Sequence, residues 1–575
     1  MKKQTNTSPA RTLNAVAAIL TATFASTAMA TNFWWTGKES RNYGTESNWA
    51  LNNTGTSVAA SIPGSSDAVR FMAMNGSTSV FSDRFKNDGY IVEFDGAYTT
   101  GYQFFFNTSG AKVTFKGTAG NAAFTYSRDA YNKNAVAGIG DGTDSTLRIE
   151  DMTYTHSYTN LVLGWTDAHK GGLEIASGAK VVVPTTAKFH DGIRIKRGYI
   201  TVDGGEINAP NSIIQVARYD ANDKTANSSV VGAFTNLNGT VTCKQFIVGA
   251  ADIDTTNDRD NYAEFYQNGG TLAVSGNIVV AQGNRTMTSG KFIMDGGKVT
   301  TAATLYVGDT GLNCATGTAH LVVNNGEIGC KAMHIGKQSQ GVVDIYGGTV
   351  ICTNECMLSS KTTYNATQAG YIESDAEMTP TLNLLGGVLQ SPKMYSASTN
   401  SYATVFFNGG TLREGANNAN LIENSARLHV KVGAKGGTID TNGYTAKLHK
   451  TLETGVDAGT DGGMTFTGGG TLALQSTASL AYTGDTKVSS DTTLSVTDKS
   501  KVNLDKFICL VNSKPEENGH AILTTTGNDV FTAADLAKIR LVDGIHSAAS
   551  VRLKLSADNK SILCKRSNGL IISFH

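Results

Sequence analysis

The sequence predicts an all-β chain wound as a three-sided parallel β-helix, a solenoid with an N-terminal cap and a small β-rich C-terminal domain. Three observations carry this reading. A Gly-x-aliphatic step recurs ten times between residues 205 and 472. Gly205, Gly239, Gly270, Gly297, Gly326, Gly348, Gly387, Gly410, Gly437 and Gly470 are followed two positions later by Ile207, Val241, Leu272, Val299, Ile328, Val350, Leu389, Leu412, Ile439 and Leu472. The nine intervals run from 22 to 39 residues and average about 29, a repeat that marks stacked units sharing one core. Finally, 63 glycines against 7 prolines suit many tight corners between strands.

The stretch from Lys291 to Gly308 shows one unit. A short apolar run ends at Gly296 and Gly297, a second puts Val299 and Thr301 on one face, and Leu305-Tyr-Val-Gly308 closes the turn. Glycine is expected at the corners because they need positive φ, which strains a residue with a Cβ. Asp203, Asn268, Asp295, Asn324 and Asn408 stand just before the glycines, where the left-handed tolerance of Asn and Asp would serve. Phe246-Ile-Val-Gly249 and Met333-His-Ile-Gly336 repeat the third strand, and Leu161-Val-Leu-Gly164 and Ala137-Gly-Ile-Gly140 look like earlier copies. Coils running from near residue 100 to near 497 number a dozen or slightly more. At ~4.8 Å per step they form a rod about 60–70 Å long.

Taken in order, residues 1–30 read as a signal peptide: Lys2, Lys3 and Arg11 flank an apolar run from Leu13 to Phe24, and Ala28-Met-Ala30 is a small-x-small cleavage site. The run is too short to span a bilayer, and no later segment reads as a transmembrane helix. Removing the leader leaves 45 basic against 48 acidic residues, and no basic stripe points to nucleic acid. Residues 31–100 form the cap, holding Trp34, Trp35 and Trp49. These are read either as packing over the open first coil or as an aromatic platform for sugar.

Residues 101–497 are the repeats. Cys243, Cys330 and Cys352 share the phase of Ala209, Val274 and Thr301, which points inward. They serve either as small core residues or, for Cys330 and Cys352 one coil apart, as a disulfide. Cys509 and Cys564 could pair within the C-terminal region. The segments after the third strand vary from the short 337–341 through 250–261 to the long 359–379. They share one phase, so they should project from one side, with Tyr262, Tyr364 and Tyr371 in or beside them. Such loops on a rigid scaffold are where binding sits, or where a surface simply drifts.

Residues 498–575 lose the glycine phase. Phe507–Val511, His520 to Thr524, Val551–Leu555, Ser561 to Cys564 and Leu570 to Phe574 read as strands, and Ala533 to Ile539 as a helical turn or two.

Gly468-Gly-Gly-Thr-Leu-Ala-Leu474, Ala481-Tyr-Thr-Gly-Asp-Thr-Lys-Val488 and Thr493-Leu-Ser-Val496 together resemble the autotransporter-associated β-strand repeat. The upstream Gly-Gly-Thr-Leu and Val-Gly units look like the related repeats of type V-secreted and exosortase-sorted (PEP-CTERM-associated) bacterial surface proteins. Phe33-Trp-Trp-Thr-Gly37, Ser47-Asn-Trp49 and the run from Ile62 to Phe71 look like the N-terminal segment of such proteins. The resemblance implies a right-handed, pectin-lyase-like β-helix and an extracytoplasmic address, with no defined chemistry. The 79 residues after Val496 are too few for a C-terminal membrane barrel, so secretion through an attached pore is not expected.

Extracellular β-helices also include polysaccharide lyases and hydrolases, whose sites need clustered carboxylates with Arg or Lys. No adjacent acids fall in phase on a strand, and no Gly-x-Ser-x-Gly elbow, His-Glu-x-x-His site or phosphate-binding loop occurs. Catalytic and cofactor-binding residues are therefore expected to be none. Asp252, Asp254, Asp258 and Asp260 are a weak Ca²⁺ cluster lacking the turn glycine of the helix–loop–helix calcium loop; the alternative is a solvated polar loop. The sequence thus points to an exported, non-enzymatic surface element or adhesin meeting an extracellular glycan or a surface component of host or bacterium. The alternative is a polysaccharide-active enzyme or glycan-binding module. A patch of acidic and basic side chains drawn from three consecutive coils would favour that alternative.

Overall fold

The computed structural model describes residues 31–567 except 54, 73–88, 102, 109, 127–136, 140–143, 158–159, 165–168, 185–191, 220–229, 252–260, 283–287, 309–313, 338, 360–378, 399–400 and 515. The leader, the Asp252 cluster, Tyr364, Tyr371 and the strand expected from Leu570 lie outside the described residues. Strand makes up 57% and helix 4%, so the chain is all-β.

The first strands of successive coils form one fifteen-stranded sheet, from Tyr90–Phe94 to Leu480–Ala481. Neighbours in it pair in parallel, as Asn261–Gln267 does with Thr288–Met294. At ~4.8 Å per step the row is about 65–70 Å long, the length the repeat count requires. The second and third strands stack the same way in a 34-stranded sheet. Thr271–Val274 pairs with Lys298–Thr301, and Ile278–Gln282 with Thr304–Val307. The solenoid and its repeats follow from this parallel architecture.

Register aligns like residues into inward rows. Phe265, Phe292, Leu321, Val343, Leu382, Val405, Val430 and Leu452 are consecutive ladder partners, and all are fully buried. Each contributes about 1.5–3 kcal/mol of apolar burial that no isolated coil could realise. The aliphatic residues from Ile207 to Ile439 make a second such row. The tenth does not continue it: Ile439 pairs with Phe466, while Leu472 pairs with Ala446 on the neighbouring face. The last Gly-x-aliphatic step therefore turns a different corner.

The glycines are required for a reason the sequence reading only partly names. Gly270, Gly297, Gly326 and Gly348 do have positive φ, but Gly205, Gly239, Gly387, Gly410, Gly437 and Gly470 do not. What they share is close stacking: a Cβ on Gly270 would lie 2.1 Å from the Gly239 carbonyl oxygen, and one on Gly387 2.5 Å from that of Gly347. Nor do Asp203, Asn268, Asp295, Asn324 and Asn408 take the left-handed conformation. Three of them instead link coils: Asn324 Nδ2 donates to Asp295 Oδ1 at 2.7 Å, and Asn408 Oδ1 accepts from the Lys435 amide at 2.9 Å.

At the N-terminus, parallel pairing already begins at Asn32–Trp35, which pairs with Ala68–Met72 and through it with Gln103–Asn107. Trp49–Ala50 closes against Asn32–Trp35 as an antiparallel partner. Trp35 and Trp49 are buried among Tyr43 and Phe71, and Trp49 Nε1 donates to the Tyr43 carbonyl at 3.0 Å. Packing therefore accounts for both; only Trp34 faces outward, with the Arg70 guanidinium 5.7 Å from its ring.

At the other end Phe507–Val511 and His520–Thr525 extend the parallel stack, and Val551–Leu555 and Ser561–Arg566 close it as an antiparallel hairpin. The helix Ala533–Lys538 starts at a capping box between Thr532 and Asp535. The Tyr-Thr-Gly-x-Thr run has a structural explanation. The buried Asp461 carboxylate accepts from the amides of Gly463, Thr483 and Gly484, and the Tyr482 hydroxyl meets Thr486 Oγ1 at 2.7 Å.

Candidate functional site

The chain leaves the third strand through a residue with positive φ in coil after coil: Gly164, Ala217, Gly249, Ala281, Gly308, Gly336 and Ser359. The residues before these corners are ladder partners: Val248, Val280, Val307, Ile335 and Leu358 form one row. The chain then re-enters at the start of the fifteen-stranded sheet, at Val230–Asn236, Asn261–Gln267, Thr288–Met294, Cys314–Val323 and Thr381–Leu384. The described residues that flank 220–229, 252–260, 283–287, 309–313 and 360–378 thus lie along one edge of the rod. Both ends of the longest are anchored. The Ser359 amide donates to the Ile335 carbonyl at 2.8 Å, while the Gln340 amide both accepts from and donates to the Thr379 backbone at 2.9 Å. Tyr262 opens a strand on this edge; it is 46% exposed, with exposed Val231 as one ladder neighbour and Ser289 as the other.

The outer faces carry polar networks that sequence reading missed. On the fifteen-stranded sheet, Glu174 receives Lys112 at 2.7 Å, Arg148 at 3.4 Å and the Tyr199 hydroxyl at 3.1 Å. Glu150 receives Lys116 at 3.0 Å and Arg148 at 3.6 Å. These residues come from four consecutive coils, Lys112–Gly117, Ser145–Glu150, Gly171–Ala176 and Gly198–Asp203. Lys116 holds the Glu150 carboxyl below its ordinary range, and Glu150 pushes Lys116 up. Each carboxylate is therefore matched to cations. The lowered Glu150 is not the raised acid that general acid–base chemistry uses.

Farther along the same face, His320 Nε2 meets Asp344 Oδ2 at 2.8 Å and Asn383 Nδ2 donates to Asp344 Oδ1 at 2.7 Å. Burial opposes ionisation of Asp344, but these hydrogen bonds outweigh it and hold its carboxyl below the usual range. The ladder places Lys291 and Val342 directly beside His320. On the third-strand face Glu355 accepts from Tyr395 at 3.1 Å and faces His334 at 3.2 Å, with Tyr306 edge-on to the imidazole. Lys393 lies 4.2 Å from the Tyr395 ring centroid.

Cys243, Cys330 and Cys352 point inward and are buried. Cys330 and Cys352 are ladder partners whose sulfurs lie 3.6 Å apart, unbonded. Among the described residues no group of three or more His, Cys, Asp or Glu is arranged to hold a metal ion, and no helix is long and apolar enough to cross a membrane. Comparison with protein-family models, curated proteins and solved structures finds no match.

Proposed function

We propose that this protein is an exported, non-enzymatic rod, a right-handed β-helix capped at both ends, that binds through the segments along its loop edge. The observation supporting this is the alignment of every described exit and re-entry point on one edge of a scaffold whose rows stay in register. Segments of very different length hung on that edge give a row of adjustable contacts at fixed spacing, so many weak contacts add up. The partner is an extracellular glycan or a surface component of another cell, and Asp252, Asp254, Asp258 and Asp260 lie in one of the edge segments. Replacing 360–378 by a short Gly-Ser linker should leave circular dichroism and the thermal midpoint unchanged while reducing retention on the glycan or cell surface. Unchanged retention would remove that segment from the binding edge.

The second reading, a glycan-directed module, is favoured by the network of Lys112, Lys116, Arg148, Glu150 and Glu174, which gathers acidic and basic side chains from three consecutive coils on one face. Incubating the purified protein with acidic and neutral polysaccharides, with and without Ca²⁺, separates the readings. Chain cleavage would make the protein an enzyme; retention lost in Lys112→Met and Arg148→Met would move binding to this face.

A further inference from the structure

Among the described residues six cysteines are buried, and four of them meet in pairs. Cys330 and Cys352 face each other on the parallel strands Glu327–Ile335 and Thr349–Leu358, with sulfurs 3.6 Å apart. Neighbouring parallel strands stand ~4.8 Å apart, inside the roughly 4.4–6.8 Å Cα separation a disulfide accepts. The second pair lies at the far end of the rod, where Cys509 and Cys564 are both buried in the core and are neighbours that interact electrostatically. Cys509 belongs to Phe507–Val511, in the parallel stack, and Cys564 to Ser561–Arg566, in the closing antiparallel hairpin. By contrast, Cys243 has Ala209 and Val274 as ladder partners, the surroundings of a plain core residue.

We propose that both pairs are sites of disulfide formation, and that the two bonds fasten the fold where stacking alone must hold it: between two central coils, and between the last parallel strands and the hairpin that closes them. The contact at Cys330 and Cys352 takes a sulfur–sulfur approach from 3.6 Å to bonding distance, which small side-chain rotations supply without moving the strands. Each oxidation removes two hydrogens from a pair of thiols and forms one S–S bond. A disulfide of the glutathione type accepts the two electrons and two protons and departs as two thiols. The hydrogen bond to Cys330, together with burial, pushes the Cys352 thiol well above its usual range, so the finished fold is a poor place for thiolate attack. The central bond therefore forms during folding, before the coils close over its sulfurs. Cys356 is near enough to affect both thiols of the central pair electrostatically and is the competing partner there. The proposal does not depend on what the rod binds.

The test is to refold the full-length purified protein in a glutathione redox buffer, alkylate it in denaturant, and map peptides without reduction. The expected result is that accessible thiols fall from seven to three, with linked peptides joining Cys330 to Cys352 and Cys509 to Cys564. Seven alkylated thiols, or links through Cys243, Cys314 or Cys356, would overturn it. A Cys352→Ala, Cys564→Ala double variant guards against a purely packing role. Wild type should show a higher thermal midpoint without reductant than with it, and the variant should show the same midpoint in both. A wild type insensitive to reductant would also overturn the proposal.

Discussion

Replacing Glu414 by glutamine should flatten a pH dependence of stability that the wild-type rod carries. Glu414 ends the strand Thr411–Glu414 with its side chain turned inward beside its ladder partner Ser391, and it is fully buried. Oε1 accepts from the amides of Gly415 at 2.9 Å and Ala416 at 3.1 Å, while Oε2 is buried without a partner. Burial dominates over the two amide bonds and pushes the carboxyl from 4.5 up to about 7. Because the folded value lies above the unfolded one, the native state binds the proton more tightly. This contribution is fully present below about pH 4.5 and is lost as pH rises through about 7. At 1.36 kcal/mol per unit the whole shift corresponds to about 3 kcal/mol, of which about 2–3 kcal/mol falls between pH 5 and 8. Glutamine keeps the shape and the Oε1 acceptor but does not titrate. Urea midpoints followed by far-ultraviolet circular dichroism at pH 5, 6, 7 and 8 give the slope for each protein. The comparison of slopes cancels the histidines and every other titrating group common to both, and any fixed cost of the buried amide. Slopes that run parallel within about 0.5 kcal/mol would refute the reasoning, because Glu414 would then be solvated or charge-paired in the native state.

Two further changes test the corners. Gly270→Ala should destabilise the rod by several kcal/mol, since the new Cβ would lie 2.1 Å from the Gly239 carbonyl and the residue has φ of +62°; a loss under about 1 kcal/mol in urea unfolding would show that the coils can part to admit it. Ala281→Gly should stabilise by about 1 kcal/mol, because Ala281 holds φ of +58° where the equivalent corners use Gly249 and Gly308; a fall in midpoint would mean the Ala281 methyl packs well enough to offset its backbone strain.

Much of the fold was legible because its signals are local. The corner glycines, the alternation of the first strands and the Val-Gly close of the third each lie within one coil; nine of the ten Gly-x-aliphatic steps fall on one row, although only four of the ten glycines have positive φ. The capping-box helix Ala533–Lys538 and the strands from Phe507 to Cys564 were readable for the same reason. The edge segments could be aligned because they follow the same short motif. Tyr262 was found on that edge, whereas Lys112, Arg148, Glu174, His320 and Asp344 were not singled out. Their partners sit between 24 and 62 residues away in the chain, and coil length varies too much for spacing to reveal them.

The sequence by itself determined that the chain is a stack of short strands turning at glycines, since 3.3 Å-per-residue strands with period-two burial and obligate small corners admit few other arrangements. Only the tertiary structure decided the register between coils. Register sets which carboxylate meets which cation, which thiols touch, that Leu472 leaves the row of Ile439, and that the corner glycines are pressed against the neighbouring coil whether or not their own φ is positive. Those are contacts across the stack, and a chain whose coils run from 22 to 39 residues does not write them in its spacing.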